Sequence, residues 1–188
     1  MTNGRFAELT PQTMTPEQRE VAEAIQSGPR GGGLRGPFNA LLRSPELADC
    51  VQKVGEYVRF KSSLPARLNE LAIIIAGRRW TAQYEFYAHR HLALEAGLKP
   101  EIADAIAEGR RPEEMQEDET IVYEFATELL QTGQVSDGPY QRVRDRFGER
   151  GVIDLVGAAG YYSLVSLILN VARVPLPPGE TPPLQPLR

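Results

Sequence analysis

Glu85 and His89 are four residues apart in Tyr84-Glu85-Phe86-Tyr87-Ala88-His89-Arg90-His91. On a helix, that spacing stacks the carboxylate and the imidazole on one face. The same face continues to Leu92, Ala93 and Ala96. A Glu–His pair beside an apolar stripe is partly desolvated, and burial and pairing move both pKa values, as general acid–base work requires. The bland alternative is a surface pair or a satisfied core histidine. His91 is turned by about 200° from His89 on a helix of 3.6 residues per turn, so it is expected to face elsewhere. Glu70 joins the pair if the segments on either side of Trp80-Thr81 pack antiparallel. Its competing partner is Arg67, one turn earlier on the same helix.

Other chemistries are short of residues. Cys50 is the sole cysteine, which removes an intramolecular disulfide, a Cys-x-x-Cys redox pair and a cysteine zinc site. His89 and His91 are the two histidines, too few for a three-histidine metal site. Gly31-Gly32-Gly33-Leu34-Arg35-Gly36 lacks the Lys-Ser/Thr ending of a phosphate loop and reads as a flexible loop or a mobile lid. A net charge of -4, with lysine only at 53, 61 and 99, disfavours nucleic acid and polybasic membrane attachment. The N-terminus has no apolar signal core, so a cytoplasmic location is expected.

The elements that must position these groups are helical. Thr15-Pro16-Glu17-Gln18 is a capping box with proline at the first helical position. Ser44-Pro45 starts a helix whose expected apolar stripe is Leu47, Val51, Val54 and Val58, with Cys50 as a small buried residue. Ser63-Leu64-Pro65 opens the next, burying Leu64, Leu68, Leu71, Ala72 and Ile75. Helices follow from about Ala82 to Ala96, Pro100 to Glu108 and Glu117 to Gln131. Ser136 caps one that ends at Gly148. The last, about Gly151 to Ala172, is apolar nearly all round and is expected to be central or at a subunit interface. It is long enough to span a bilayer, but Ser163, Ser166, Asn170 and two glycines favour a buried helix of a soluble bundle. Six prolines after Val174 make the tail an extended arm, expected to lie on a neighbouring subunit. The reading is an all-α single domain: residues 1–36 as N-terminal helix and glycine-rich loop, 37–174 as the helical body, 175–188 as the arm.

Pro65-Ala66-Arg67-Leu68-Asn69-Glu70-Leu71-Ala72-Ile73, then Tyr84-Glu85, His89 and Ala93-Leu94-Glu95-Ala96-Gly97-Leu98, resembles the carboxymuconolactone decarboxylase family, which includes the alkyl hydroperoxidase D-like (AhpD-like) proteins. The resemblance extends over about residues 35 to 172 and implies an orthogonal helical bundle. The family's peroxidase branch places two thiols between its glutamate and histidine. The corresponding positions in this chain are Ala82 and Glu85, so peroxiredoxin or antioxidant chemistry is not expected to carry over.

The decarboxylase branch, with a glutamate at the second thiol position, is the better match. It implies cofactor-free acid/base decarboxylation, or a related proton transfer, on a small carboxylated lactone from aromatic catabolism. His89 would be the acid/base, Glu85 would orient it, and Glu70 would complete a relay. Arg35, Arg43 and Arg78 are candidates for a substrate carboxylate, and Trp80, Tyr84 and Phe38 for the pocket walls. No metal and no cofactor are expected, and a homotrimer or homohexamer is implied. The alternatives are a non-catalytic ligand-binding oligomer of the same fold and a metal site built from Glu70, Glu85 and His89.

Overall fold

The computed structural model of the chain describes residues 4–29 and 33–185. Among them are eight α-helices and no strand: α1 (Pro16–Ser27), α2 (Phe38–Leu41), α3 (Pro45–Phe60), α4 (Ala66–Arg79), α5 (Gln83–Glu95), α6 (Pro100–Ala107), α7 (Glu117–Thr132) and α8 (Asp137–Ala172). The capping box of α1 forms as expected, with Thr15 Oγ1 accepting from Gln18 N. Gly31 and Gly32, the heart of the expected lid, lie outside the described residues.

α4 is the centre. Every residue from Leu68 to Arg78 is buried, and the helix packs on α5, α6, α7 and α8. Leu68, Leu71, Ala72 and Ile75 are in the core as expected, but Ile73, Ile74 and Ala76 on the other sides are buried too. α5 folds back along α4 with very close contact. A Cβ at Gly77 would sit 3.4 Å from the Phe86 backbone nitrogen. The turn between them passes through Thr81 at φ 48, a left-handed conformation costly for a β-branched residue. Trp80 clamps this turn to α8: its indole N–H donates to Ser163 Oγ at 2.8 Å, and its carbonyl accepts from Asn170 at 2.7 Å.

α8 is one helix by hydrogen bonding, broken in direction at Gly148 (φ 71, ψ 175), where the sequence predicts an end. Ser136 does not cap it with its side chain. The Ser136 hydroxyl and amide instead donate to the Glu128 carboxylate at 3.1 and 2.8 Å. α8 is not central. One face is buried, while Ile153, Val156, Leu164, Leu167 and Val171 stay exposed. By length and composition alone it could cross a membrane, and 56% of its most apolar window is buried inside the bundle.

On α3 the stripe is rotated from expectation. Val51 and Val58 are buried with Ala48, Gln52 and Gly55, whereas Leu47 and Val54 are about half exposed and Cys50 is exposed. The small residues Ala48 and Gly55 lie on the buried side of α3, so burial follows the small side rather than the most apolar one.

Asp154 ties α8 to the α3–α4 connection. It accepts from Tyr57 Oη (2.8 Å), Ser63 N (2.7 Å) and Ser63 Oγ (2.6 Å). Burial opposes its charge, but these donors and Arg150 hold its pKa below the usual carboxylate value. Asp154→Ala leaves a backbone amide and two hydroxyls without their acceptor, and should cost about 2–4 kcal/mol in urea unfolding.

The tail folds back on its own chain rather than reaching away. Leu184 is buried, and Gln83 pairs with its backbone in both directions, Nε2 to Leu184 O at 2.8 Å and Leu184 N to Oε1 at 3.0 Å.

Candidate active site

Antiparallel packing of α4 and α5 brings Glu70 to His89. Glu70 Oε2 lies 2.6 Å from His89 Nδ1, and Glu85 Oε1 lies 3.1 Å from His89 Nε2. The imidazole is therefore spanned by two carboxylates, one from each helix. All three side chains are buried. The contacts are unequal: Glu70 makes a hydrogen bond, while Glu85 Oε1 is close but badly aligned and keeps no hydrogen-bond partner.

Burial is the largest influence on His89 and disfavours its charged form. The charges of Glu85 and Glu70, with the hydrogen bond to Glu70, together outweigh it and push the pKa up to about 9. The shift favours the protonated form of a ring held between two carboxyl groups.

The competing Arg67–Glu70 pair does not form. Arg67 instead pairs with Asp118 at 2.8 Å and with Glu119 at the start of α7, leaving Glu70 for His89. His91 is exposed and stacks edge-on with Tyr87, as expected for the other face of α5.

Tyr162 completes the cluster. Its ring packs edge-on against His89 with centroids 4.7 Å apart, and its buried hydroxyl has no hydrogen-bond partner. Burial, then the nearby charges of Glu85 and Glu70, raise its pKa well above the ordinary tyrosine value, so it stays a neutral donor. Sequence reasoning did not place Tyr162 in the site. The available signal was a tyrosine inside an uncharged helix, whose hydroxyl must find a partner or a use once buried.

The other expected site residues are dispersed. Phe38 is buried in the core. Tyr84 lies against Gly36, where an added Cβ would come 3.1 Å from its ring, and Arg35 is exposed nearby. Trp80 is the turn clamp described above. Arg43 donates to the carbonyls of Asn39 and Ala7 and stacks over Phe6, which makes it an anchor for the N-terminal segment. Arg78 donates to Gln185 O at 2.8 Å and lies eight residues along α4 from Glu70, about 12 Å of helical rise.

Thiol chemistry has no second sulfur, and Cys50 sits exposed on α3. The metal alternative fails on geometry. Each ring nitrogen of His89 faces its own carboxylate, so the three groups do not converge on one point. Among the described residues no group of three or more such ligands is arranged to hold a metal ion.

Comparison with known proteins finds no matching family model and no matching curated protein.

Proposed function

We propose that Glu70, His89 and Glu85 form a cofactor-free acid/base site. The leading reaction is decarboxylation, or a related proton transfer, on a small carboxylated lactone, as the sequence resemblance implies. The observation that supports it is a buried histidine held between carboxyl groups from two helices, with its pKa raised. Loss of carbon dioxide from such a substrate breaks a carbon–carbon bond and leaves a delocalised anion on the ring. His89 gives that anion its proton. Glu85, close to Nε2 but without an aligned hydrogen bond, acts through its charge and favours the protonated ring. Glu70 holds Nδ1 and offers the path by which a proton returns. The Tyr162 hydroxyl is a neutral donor for an enolate oxygen.

The test is carbon dioxide release from a panel of carboxylated lactones by wild type, Glu70→Gln and His91→Ala. Turnover should survive in His91→Ala and drop by about a hundredfold in Glu70→Gln. No release from any lactone by the wild type removes this reaction.

A second reading is a non-catalytic ligand-binding oligomer of the same fold. Its support is that the five described cavities are lined by other side chains, none by Glu70, Glu85 or His89.

Self-association, as a homotrimer or homohexamer, belongs to both readings. The exposed side chains of α8, Ile153, Val156, Leu164, Leu167 and Val171, recur at helical three- and four-residue spacing along one face. Light scattering at micromolar concentration should give a multiple of the chain mass, and Leu164→Glu/Leu167→Glu should reduce it. A monomeric wild type rejects the assembly.

A further inference from the structure

We propose that the seat of Leu184 beside the α4–α5 turn is a docking site for a proline–leucine segment, filled by the chain's own tail and open to the same segment of a second copy. Its polar contacts come from Arg78, in the last turn of α4, and Gln83, the first residue of α5. Gln83 and Tyr87 lie one turn apart on the face of α5 that carries His91, turned away from Glu85 and His89. The site is therefore separate from the acid/base cluster.

One side chain and the main chain hold the tail. Leu184 is 2% exposed and joins the apolar core, while Gln185 after it is exposed. Gln83 Nε2 donates to Leu184 O at 2.8 Å, and Leu184 N donates to Gln83 Oε1 at 3.0 Å. Arg78 Nη1 donates to Gln185 O at 2.8 Å. An amide side chain that both donates to and accepts from one residue's backbone imitates a paired β-strand, so it holds a segment without reading its side chains. Pro182-Pro183 stiffens the segment before it docks. Selectivity comes from the buried leucine. Farther back along the tail, Glu180 accepts from the Tyr87 hydroxyl.

The connection between α8 and this seat is long and loosely held. Residues 178–182 are all exposed. To reach its own seat the chain passes through Arg173 at φ 52 and Gly179 at φ 89, two left-handed residues, the first of them costly without a glycine. Residues 175–183 span about 28 Å at roughly 3.1 Å per residue when extended, enough to leave one copy and enter another. A second copy is the occupant argued for, because it carries by identity the segment that the seat already fits. The seated tail also bounds the affinity. A short flexible connection supplies an effective concentration of about 1 mM or more, so a motif populated within the chain should dissociate at or below about that concentration between chains.

The experiment is an NMR titration of isotope-labelled, full-length Leu184→Asp, which keeps the seat and unseats its own tail. The tail resonances of this variant should move to random-coil positions, whereas wild type keeps them dispersed. A capped peptide of residues 177–185 should shift the Gln83 side-chain amide, with half-saturation at about 1 mM or below. The same peptide carrying Leu184→Asp should bind at least about tenfold more weakly. Unlabelled full-length Gln83→Ala, which has an intact tail and a damaged seat, should reproduce the peptide's shift, since it supplies the segment as a second copy. If Leu184→Asp fails to fold, Leu184→Ala takes its place, removing the anchor without adding a charge. The proposal is overturned if the unseated tail stays ordered, or if about 3 mM peptide gives no shift. It is also overturned if the two peptides bind equally, or if the peptide binds and the full-length donor does not. A peptide with other residues around Pro-Leu that binds about tenfold more tightly would assign the seat to a foreign chain and overturn the second copy as occupant.

Discussion

His89→Ala should lower any turnover at this site by about 10²–10⁴-fold, the usual worth of a positioned acid–base group. It should also destabilise the fold by about 3–5 kcal/mol, because it strands Glu70 and Glu85 in the interior without their cation. A polar pair in an open functional pocket is usually not optimised for stability, and from sequence alone its removal is expected to be nearly free. The observed burial reverses that expectation. Urea unfolding measures the loss. A companion variant, His89→Leu with Glu70→Met and Glu85→Met, removes all three charges and should recover most of the stability, since apolar replacement of a buried ion cluster is often neutral. A loss of less than about 1 kcal/mol in His89→Ala would mean that water reaches the cluster and screens its charges, and would reject the stranding of the two carboxylates.

The second large effect is on pH dependence. The His89 pKa is raised in the fold to about 9 from 6.5. A group whose folded pKa lies above its unfolded value stabilises fully below the unfolded pKa. That stability is lost as pH rises through the folded pKa. Stability should therefore fall by about 3 kcal/mol between roughly pH 6.5 and pH 9. The groups facing the imidazole are Glu85 from its own helix, Glu70 from α4 and Tyr162 from α8. Tyr162 is held neutral well beyond this window, so it does not blur the transition. Denaturant midpoints measured across pH 6 to 10 should show the slope in wild type and lose it in His89→Gln. A flat wild-type profile would mean that the ring is neutral. Turnover should likewise decline above about pH 9, where the donor loses its proton.

The elements themselves were legible because their signals are local. Thr15-Pro16, Ser44-Pro45, Gly133 and Gly148 act through backbone φ/ψ and terminal hydrogen bonds that a few neighbouring residues determine. The Glu85–His89 pairing was legible for the same reason: four residues on a helix is a fixed distance. Glu70 could be placed only conditionally, since reaching His89 depends on the turn at Trp80-Thr81, and Arg67 offered it a nearer partner.

Tertiary packing decided the rest. Arg67 was drawn off by Asp118 and Glu119, about fifty residues away in sequence, and Arg43 by the N-terminal segment. Neither is predictable from spacing, because a long flexible cation takes whichever acceptors the fold presents. Cys50, Leu47 and Val54 were misjudged because the side of α3 that is buried carries Ala48, Gln52 and Gly55 rather than its most apolar residues. By itself, then, the sequence determined the all-α class, nearly every helix boundary and one half of the candidate site. Only the three-dimensional packing made α4 the buried axis, sealed His89 between two carboxyl groups under Tyr162, and raised that histidine's pKa. A pKa depends on distances and desolvation across elements, and neither exists until the helices have packed.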